Sequence, residues 1–324
     1  MRRVRYYEYG DPDVLTVEEA DIPAPGPGEV LIRTEAIGAN YVDTQMRRGP
    51  AALSVFRRPL PGKVTGDVVG TVEAVGPGGD PGRVGQRVAA LTEDAFADHA
   101  VADAQWLAPV PAGLDPGMAS MLPMGAPVAL RALRTGRLAE GETVLIHSAA
   151  GGIGHLAVQL AGLLGAGTVI ATVGSPAKAD FVRSLGADVA VDYSAADWPD
   201  RVRAAAPRGV DVVLDSVGGE VLRRSLDVLA PFGRAVVYGV AAGELLDVPV
   251  TGLFGLKTVA GFSLLAWRAA APERARAEMT ELAGHASAGR LRTAVHATFP
   301  LTEAPAVHRL FEERTHLGRI LVLP

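Results

Sequence analysis

Apolar residues follow two rhythms along this chain, and the change falls just after Pro123. Before it, short apolar runs (Glu29–Thr34, Val68–Val75, Arg87–Leu91) are separated by Gly/Pro turns at 25–28 and 76–82. That spacing predicts a β-rich domain, a small barrel or sandwich. After Pro123 a helical stretch, Val128–Leu133, leads into an alternation of strands and helices. The expected strands are Thr143–His147, Thr168–Val173, Val189–Val191, Val210–Asp215, Gly233–Tyr238 and Thr258–Phe262; the expected helices are Ile153–Leu164, Ala177–Leu185 and Glu220–Leu229. These strands are continuous apolar runs, as required when helices cover both faces of a parallel sheet. The pattern predicts a doubly wound α/β domain over 124–256. A long helix, Pro272–Ala288, and a β-like end, Gly318–Leu323, follow. The tail 257–324 is expected to return to the first domain, 1–123.

Length supports that division, because 324 residues exceed one small core. Composition narrows the chemistry. There is no cysteine, which excludes disulfides, thiol nucleophiles and thiolate zinc sites. A net charge of -5 argues against nucleic acid as partner. The N-terminus lacks the apolar core of a signal peptide, and no apolar run approaches the roughly 18 residues of a membrane span. A cytoplasmic location and a small-molecule substrate are expected.

One turn carries specific chemistry. Ala149-x-Gly151-x-x-Gly154 follows a predicted strand and opens a predicted helix, the setting that gives a glycine-rich fingerprint its meaning. The backbone of Ala150, Gly151, Gly152, Ile153 and Gly154 is then placed to meet the pyrophosphate of a dinucleotide at a helix N-terminus. An NAD site ends its second strand in Asp or Glu, about 20 residues on, to hold the ribose 2′-hydroxyl. Here that strand ends in Gly174-Ser175, with Lys178 one turn further and Tyr193 after the next strand. A cation and hydroxyls in place of a carboxylate favour a 2′-phosphate, hence NADPH. The competing reading makes Lys178 a solvated helix residue.

On these residues the chain resembles the medium-chain dehydrogenase/reductase superfamily, nearest its zinc-independent quinone oxidoreductases. The likeness runs through Gly38-Ala-Asn40-Tyr41-x-Asp43-Thr44, Gly70–Gly76, Val84–Val88, His147–Gly154, Leu185–Asp188, Asp211–Gly219 and Gly318–Val322. It implies a GroES-like β-rich catalytic domain around a central Rossmann domain, NADPH in the cleft between them, and a homodimer joined edge to edge through Thr258–Phe262. It also implies that Asn40 lies near the nicotinamide ribose or carboxamide. Gly174, Ser175, Lys178 and Tyr193 would surround the 2′-phosphate, and Ser216 and Val217 would lie near the adenine. Tyr238, Gly239, Phe262 and Leu264 would lie near the nicotinamide. Zinc alcohol dehydrogenases, the sibling family, place a His-Glu pair where this chain has Gly66-Asp67, so no catalytic metal is expected.

The departures from the family pattern fall on the substrate side: Gln45, Pro50-Ala51-Ala52, Pro127 and Val64-Thr65-Gly66-Asp67, with His155 after the turn. Reduction of a conjugated carbonyl without a metal needs hydrogen-bond donors on the developing oxyanion. Tyr41, Gln45 and Thr65 are the candidates, although a core aromatic is an equal reading of Tyr41. Asp43 is expected to cap a helix starting at Thr44. The expected function is NADPH-dependent hydride transfer to a quinone, enone or enoyl group, with tailoring of a polyketide or similar product suggested by the altered pocket. The alternatives are a non-redox cyclase or isomerase on the same scaffold, or a protein that only binds NADPH.

Overall fold

The two rhythms correspond to two structural units in a computed structural model that describes residues 1–324. Met1–Gly125 and Arg276–Pro324 form one unit, and Ala126–Ala275 the other.

The first unit is built on strands Glu29–Gly38 and Gly66–Val75, which pair antiparallel over most of their length. Arg87–Thr92 and Ala108–Pro109 extend the sheet on one side. On the other side lie Arg319–Leu323 and Val295–Pro300, while His99–Asp103 also pairs with Glu29–Gly38. The C-terminal strand is thus sewn into the N-terminal sheet by backbone hydrogen bonds. Pairing shifts at Leu31/Ile32 and Thr34/Ala36 bend Glu29–Gly38, the usual effect of a bulge. A smaller sheet orders Thr16–Glu19, Arg2–Tyr6 and Gly62–Lys63. The core between them includes Ile32, Ile37, Val68, Phe96, Phe311 and Ile320. Helix Ala304–Glu313, which the sequence pattern did not single out, buries Val307 and Phe311 in it.

The second unit is the expected parallel sheet, in the order Val189–Asp192, Thr168–Val173, Thr143–Ile146, Val210–Asp215, Leu229–Val237, Thr258–Gly261. The first strand in sequence is central. The chain builds outward on one side, then crosses back to build the other. The order reverses between Thr143–Ile146 and Val210–Asp215, the switch point beyond whose carboxyl ends doubly wound sheets bind ligands. Two helices escaped the sequence reading. Trp198–Ala205 buries Trp198 and Val202, and Leu264–Ala270 follows a Ser263 cap.

One expected boundary is corrected. The tail leaves the second unit at Arg276, not at 257. Thr258–Gly261 pairs in parallel with Leu229–Val237, so its hydrogen bonds commit it to the Rossmann-type sheet as an edge strand. The first boundary moves only slightly, from 123 to Gly125.

Candidate functional site

The glycine-rich turn begins where strand Thr143–Ile146 ends. His147 is fully buried there and anchors the turn from below. Its Nε2 lies 2.7 Å from the Ser225 hydroxyl and its Nδ1 2.8 Å from the Thr172 hydroxyl. Ser225 donates its proton to the Val221 carbonyl, so His147 carries its proton on Nε2 and accepts from Thr172. Burial pushes its pKa down to about 3, so the ring stays neutral. Ser148 then takes a left-handed conformation, φ 49°, and Ala149 N–H donates to Thr172 O at 2.9 Å. Helix Gly154–Leu163 starts after Ile153. A Cβ on Gly154 would fall 2.3 Å from Ser148 O and 2.7 Å from the Ala149 Cα, so only glycine lets the helix press onto the turn. Ala150 is buried, while Gly151, Gly152 and Ile153 are half-buried just before the first helical turn, with Gly151 N–H donating to Ser148 O at 2.9 Å. His155 reaches back to accept this geometry, its Nδ1 donating to Gly151 O at 2.9 Å. The cradle fits a pyrophosphate.

At the end of Thr168–Val173 the chain exposes Gly174. Tyr193 N–H donates to Val173 O at 3.0 Å, which holds Tyr193 beside the strand end. A Cβ on Gly174 would sit 3.4 Å from the Tyr193 hydroxyl, in ordinary contact, so the two residues are immediate neighbours at this strand end. Ser175 and Lys178 are half-buried in the same turn, and burial lowers the Lys178 pKa. The carboxylate paired in register with Val173, Asp192, is turned onto Ser194, whose N–H and hydroxyl donate to it at 2.9 and 2.7 Å. These residues suit a ribose 2′-phosphate.

Across the switch point, Asp215 Oδ1 accepts from Val217 N–H (2.9 Å) and Gly218 N–H (2.7 Å), which folds Ser216 and Val217 over the end of their strand. Burial raises the Asp215 pKa to about 6. Tyr238 and Gly239 follow the next strand, with Tyr238 N–H bonded to Asp215 O. Phe262 N–H is bonded to Val237 O, and Leu264 is buried just beyond it. All the sequence-predicted cofactor residues therefore lie along the carboxyl edge of one sheet.

The first unit gathers its own polar cluster. Helix Val42–Arg48 starts earlier than expected, and Asp43 does not cap it. Its carboxylate instead accepts from Thr65 N–H (2.8 Å) and the Thr65 hydroxyl (3.0 Å). Burial, and next to it the Asp67 charge, push the Asp43 pKa up to about 7 against those two bonds. Among the expected oxyanion donors, Thr65 is thus committed to Asp43. Gln45 is buried and donates to the Tyr41 hydroxyl and to Thr44 Oγ1, both at 3.2 Å. Tyr41 is half-buried, with its ring edge-on to Phe311. Asn40 is nearly covered. Its Oδ1 accepts from Arg319 at 2.9 Å and its Nδ2 donates to Asp67 at 3.1 Å. Arg319 and Asp67 pair directly at 2.6 Å. Sequence reasoning gave Arg319 no role; it stands 279 positions from Asn40, in a segment noted as a strand and as part of the family likeness.

Comparisons with known proteins agree with this anatomy. Residues 26–112 match the alcohol dehydrogenase GroES-like domain and residues 152–282 the zinc-binding dehydrogenase family. A 2-haloacrylate reductase of Burkholderia sp is 36% identical, over 98% of this chain and 97% of that protein. A quinone oxidoreductase of Pseudomonas aeruginosa is also 36% identical, over 100% and 99%. The structure of Escherichia coli quinone oxidoreductase complexed with NADPH superposes with a TM-score of 0.92 at 29% identity, covering all of both chains. The chain belongs to the medium-chain dehydrogenase/reductase superfamily. Within it, it is a quinone oxidoreductase-like, NADPH-dependent reductase. The zinc in the second family's description does not fit these residues. The chain has no cysteine, and the buried Asp67 carboxylate is engaged by the Arg319 guanidinium.

Proposed function

We propose that this protein reduces the carbon–carbon double bond of a conjugated carbonyl compound, or a quinone, and selects NADPH through Gly174, Ser175, Lys178 and Tyr193. NADPH, when bound, supplies the hydride. The 150–154 backbone binds the pyrophosphate, and Ser216 and Val217 border the adenine side. Tyr238, Gly239, Phe262 and Leu264 flank the nicotinamide, with Asn40 orienting it. Tyr41, polarised by the Gln45 amide, donates to the substrate oxygen as negative charge develops there. Thr65 holds Asp43 and acts only through it, a smaller part than its sequence position suggested.

The observation that carries this reading is the strand end at Val173. It offers Lys178 and the Tyr193 hydroxyl beside a bare glycine, with no carboxylate ending the strand itself and the neighbouring Asp192 bonded to Ser194. The test is to follow NADPH absorbance against a panel of quinones and enones. Oxidation by at least one acceptor is expected, with NADPH preferred to NADH. Lys178→Ala should weaken NADPH binding roughly tenfold and leave NADH unchanged, the loss expected of a charge-assisted phosphate contact. Tight NADPH binding without oxidation by any acceptor would instead support a non-redox enzyme.

We further infer a cytoplasmic homodimer. No helix is long and apolar enough to cross a membrane. The edge strand Thr258–Gly261 is bordered by large exposed apolar side chains, Phe232, Val250, Phe254 and Leu256, a pattern that marks an association surface.

A further inference from the structure

Arg319 enters the first unit from the C-terminal strand and uses every donor it has. Nε donates to Ser120 Oγ (3.0 Å). Nη1 donates to Ala39 O (3.0 Å) and Asn40 Oδ1 (2.9 Å). Nη2 donates to Asp67 Oδ2 (2.6 Å) and Ser120 O (3.0 Å). A guanidinium has five N–H groups in one plane, so this set of acceptors admits a single orientation. Both members of the ion pair are buried, with side-chain exposures of 3% for Arg319 and 0% for Asp67.

The same guanidinium accounts for Gly38. A Cβ there would lie 1.7 Å from Arg319 Nη2 and 2.2 Å from Cζ. Gly38 is not in the left-handed region, so backbone freedom is not what it provides. It provides a flat surface on which the guanidinium rests.

Asn40 sits between the two charges. Arg319 can only donate, and Asp67, as a carboxylate, can only accept. The Asn40 oxygen must therefore face Arg319 and its nitrogen Asp67, and the amide cannot flip. One lone pair and one N–H are left pointing in a fixed direction.

We propose that Arg319 and Asp67 are positioning residues, which lock the Asn40 amide in the orientation it uses on the nicotinamide side of the cofactor. The inference rests on the reading of Asn40 given above. A buried arginine organises this polar centre. It does so through hydrogen bonds from the last strand of the chain.

The test uses the full-length protein and four variants, Asn40→Ala, Arg319→Lys, Gly38→Ala and the double variant Asn40→Ala with Arg319→Lys. Readouts are kcat and KM for a quinone acceptor, the NADPH Kd by fluorescence, and thermal unfolding. Lysine keeps a cation against Asp67 but cannot also hold Asn40, Ala39 and Ser120. Arg319→Lys should lower kcat about tenfold with KM changed less than about threefold, because alignment is lost rather than substrate affinity. In the Asn40→Ala background the same change should cost less than about twofold, the non-additivity of residues acting through one another. Gly38→Ala changes none of the hydrogen-bonding residues but pushes the guanidinium aside. It should reproduce the kcat loss, and it decides the matter if Arg319→Lys fails to fold. Equal loss from Arg319→Lys with and without Asn40 would overturn the positioning role alone. An Asn40→Ala variant with unchanged kcat and NADPH Kd would overturn the reading of Asn40 and the positioning with it.

Discussion

Asp43 receives two hydrogen bonds from Thr65, yet its pKa rises to about 7, with burial the leading cause and the Asp67 charge a further one. The folded value lies above the unfolded one, so the contribution of this group to stability is complete below about pH 4 and is lost as pH rises through 7. Asp43→Asn imitates the protonated acid, since an amide can accept from Thr65 N–H and donate to Thr65 Oγ1. The variant should therefore match wild type near pH 4 and exceed it at pH 8 by on the order of a few kcal/mol. Urea unfolding at the two pH values checks this; a variant less stable than wild type at pH 8 would contradict it. The buried histidines have the opposite sign. His147 and His308 are both lowered to about 3 by burial, with Arg47 adding to the effect at His308. Their contribution is present above about pH 6.5 and is lost as pH falls toward 3. None of this is visible in sequence. An Asp followed by Thr resembles a helix cap, and only the link between strands Gly62–Lys63 and Gly66–Val75, which carries Thr65, turns Asp43 away from its own helix.

At the scale of elements, the turn from Ser148 to Gly154 shows how backbone packing fixes the shape of a turn. Gly154→Ala places a methyl group 2.3 Å from Ser148 O, closer than real contacts allow. Because the obstacle is backbone, the helix must shift away from the turn. We expect a loss of about 1–3 kcal/mol in stability and at least a tenfold weaker NADPH Kd, measured by thermal unfolding and fluorescence titration. Gly162→Ala, in the same helix with open space around its Cβ position, should leave binding unchanged. The sheet strands were legible because each is an uninterrupted apolar run, such as Val210–Asp215, and the expected and observed bounds agree there. Helix Trp198–Ala205 was not legible, because an Asp-Trp-Pro-Asp start and alternating arginines give little apolar periodicity over so short a length. Strand Leu229–Val237 begins before its expected start at Gly233. Its register shifts against Val210–Asp215, and such an irregularity leaves no mark on the hydrophobic pattern.

At the scale of the whole molecule, the exposed side chains around the edge strand make a prediction about assembly. Phe232 and Leu256 both adopt left-handed conformations, φ 67° and 61°, and Phe232 N–H donates to Leu256 O at 2.8 Å. Two non-glycine residues held this way cost roughly 1–3 kcal/mol each, a cost that favours a role for the apolar surface they present. Phe254→Glu with Val250→Glu should convert a dimer to monomer in sedimentation velocity. Unchanged sedimentation, or a wild type already monomeric, would refute the proposed interface. The sequence by itself determined the parallel sheet, the glycine turn, the missing acid at Val173 and the exclusion of thiolate chemistry, because each depends on a local run of residue types. Tertiary structure decided the rest. It assigned Thr258–Gly261 to the second unit through inter-strand hydrogen bonds. It joined Arg319 to Gly38, Asn40 and Asp67 across most of the chain's length. Periodicity records which face of an element is apolar, but not which distant polar group meets it. For that reason the glycine turn and the acid-free end of strand Thr168–Val173 could be read from sequence, and the hydrogen bonds around Asn40 could not.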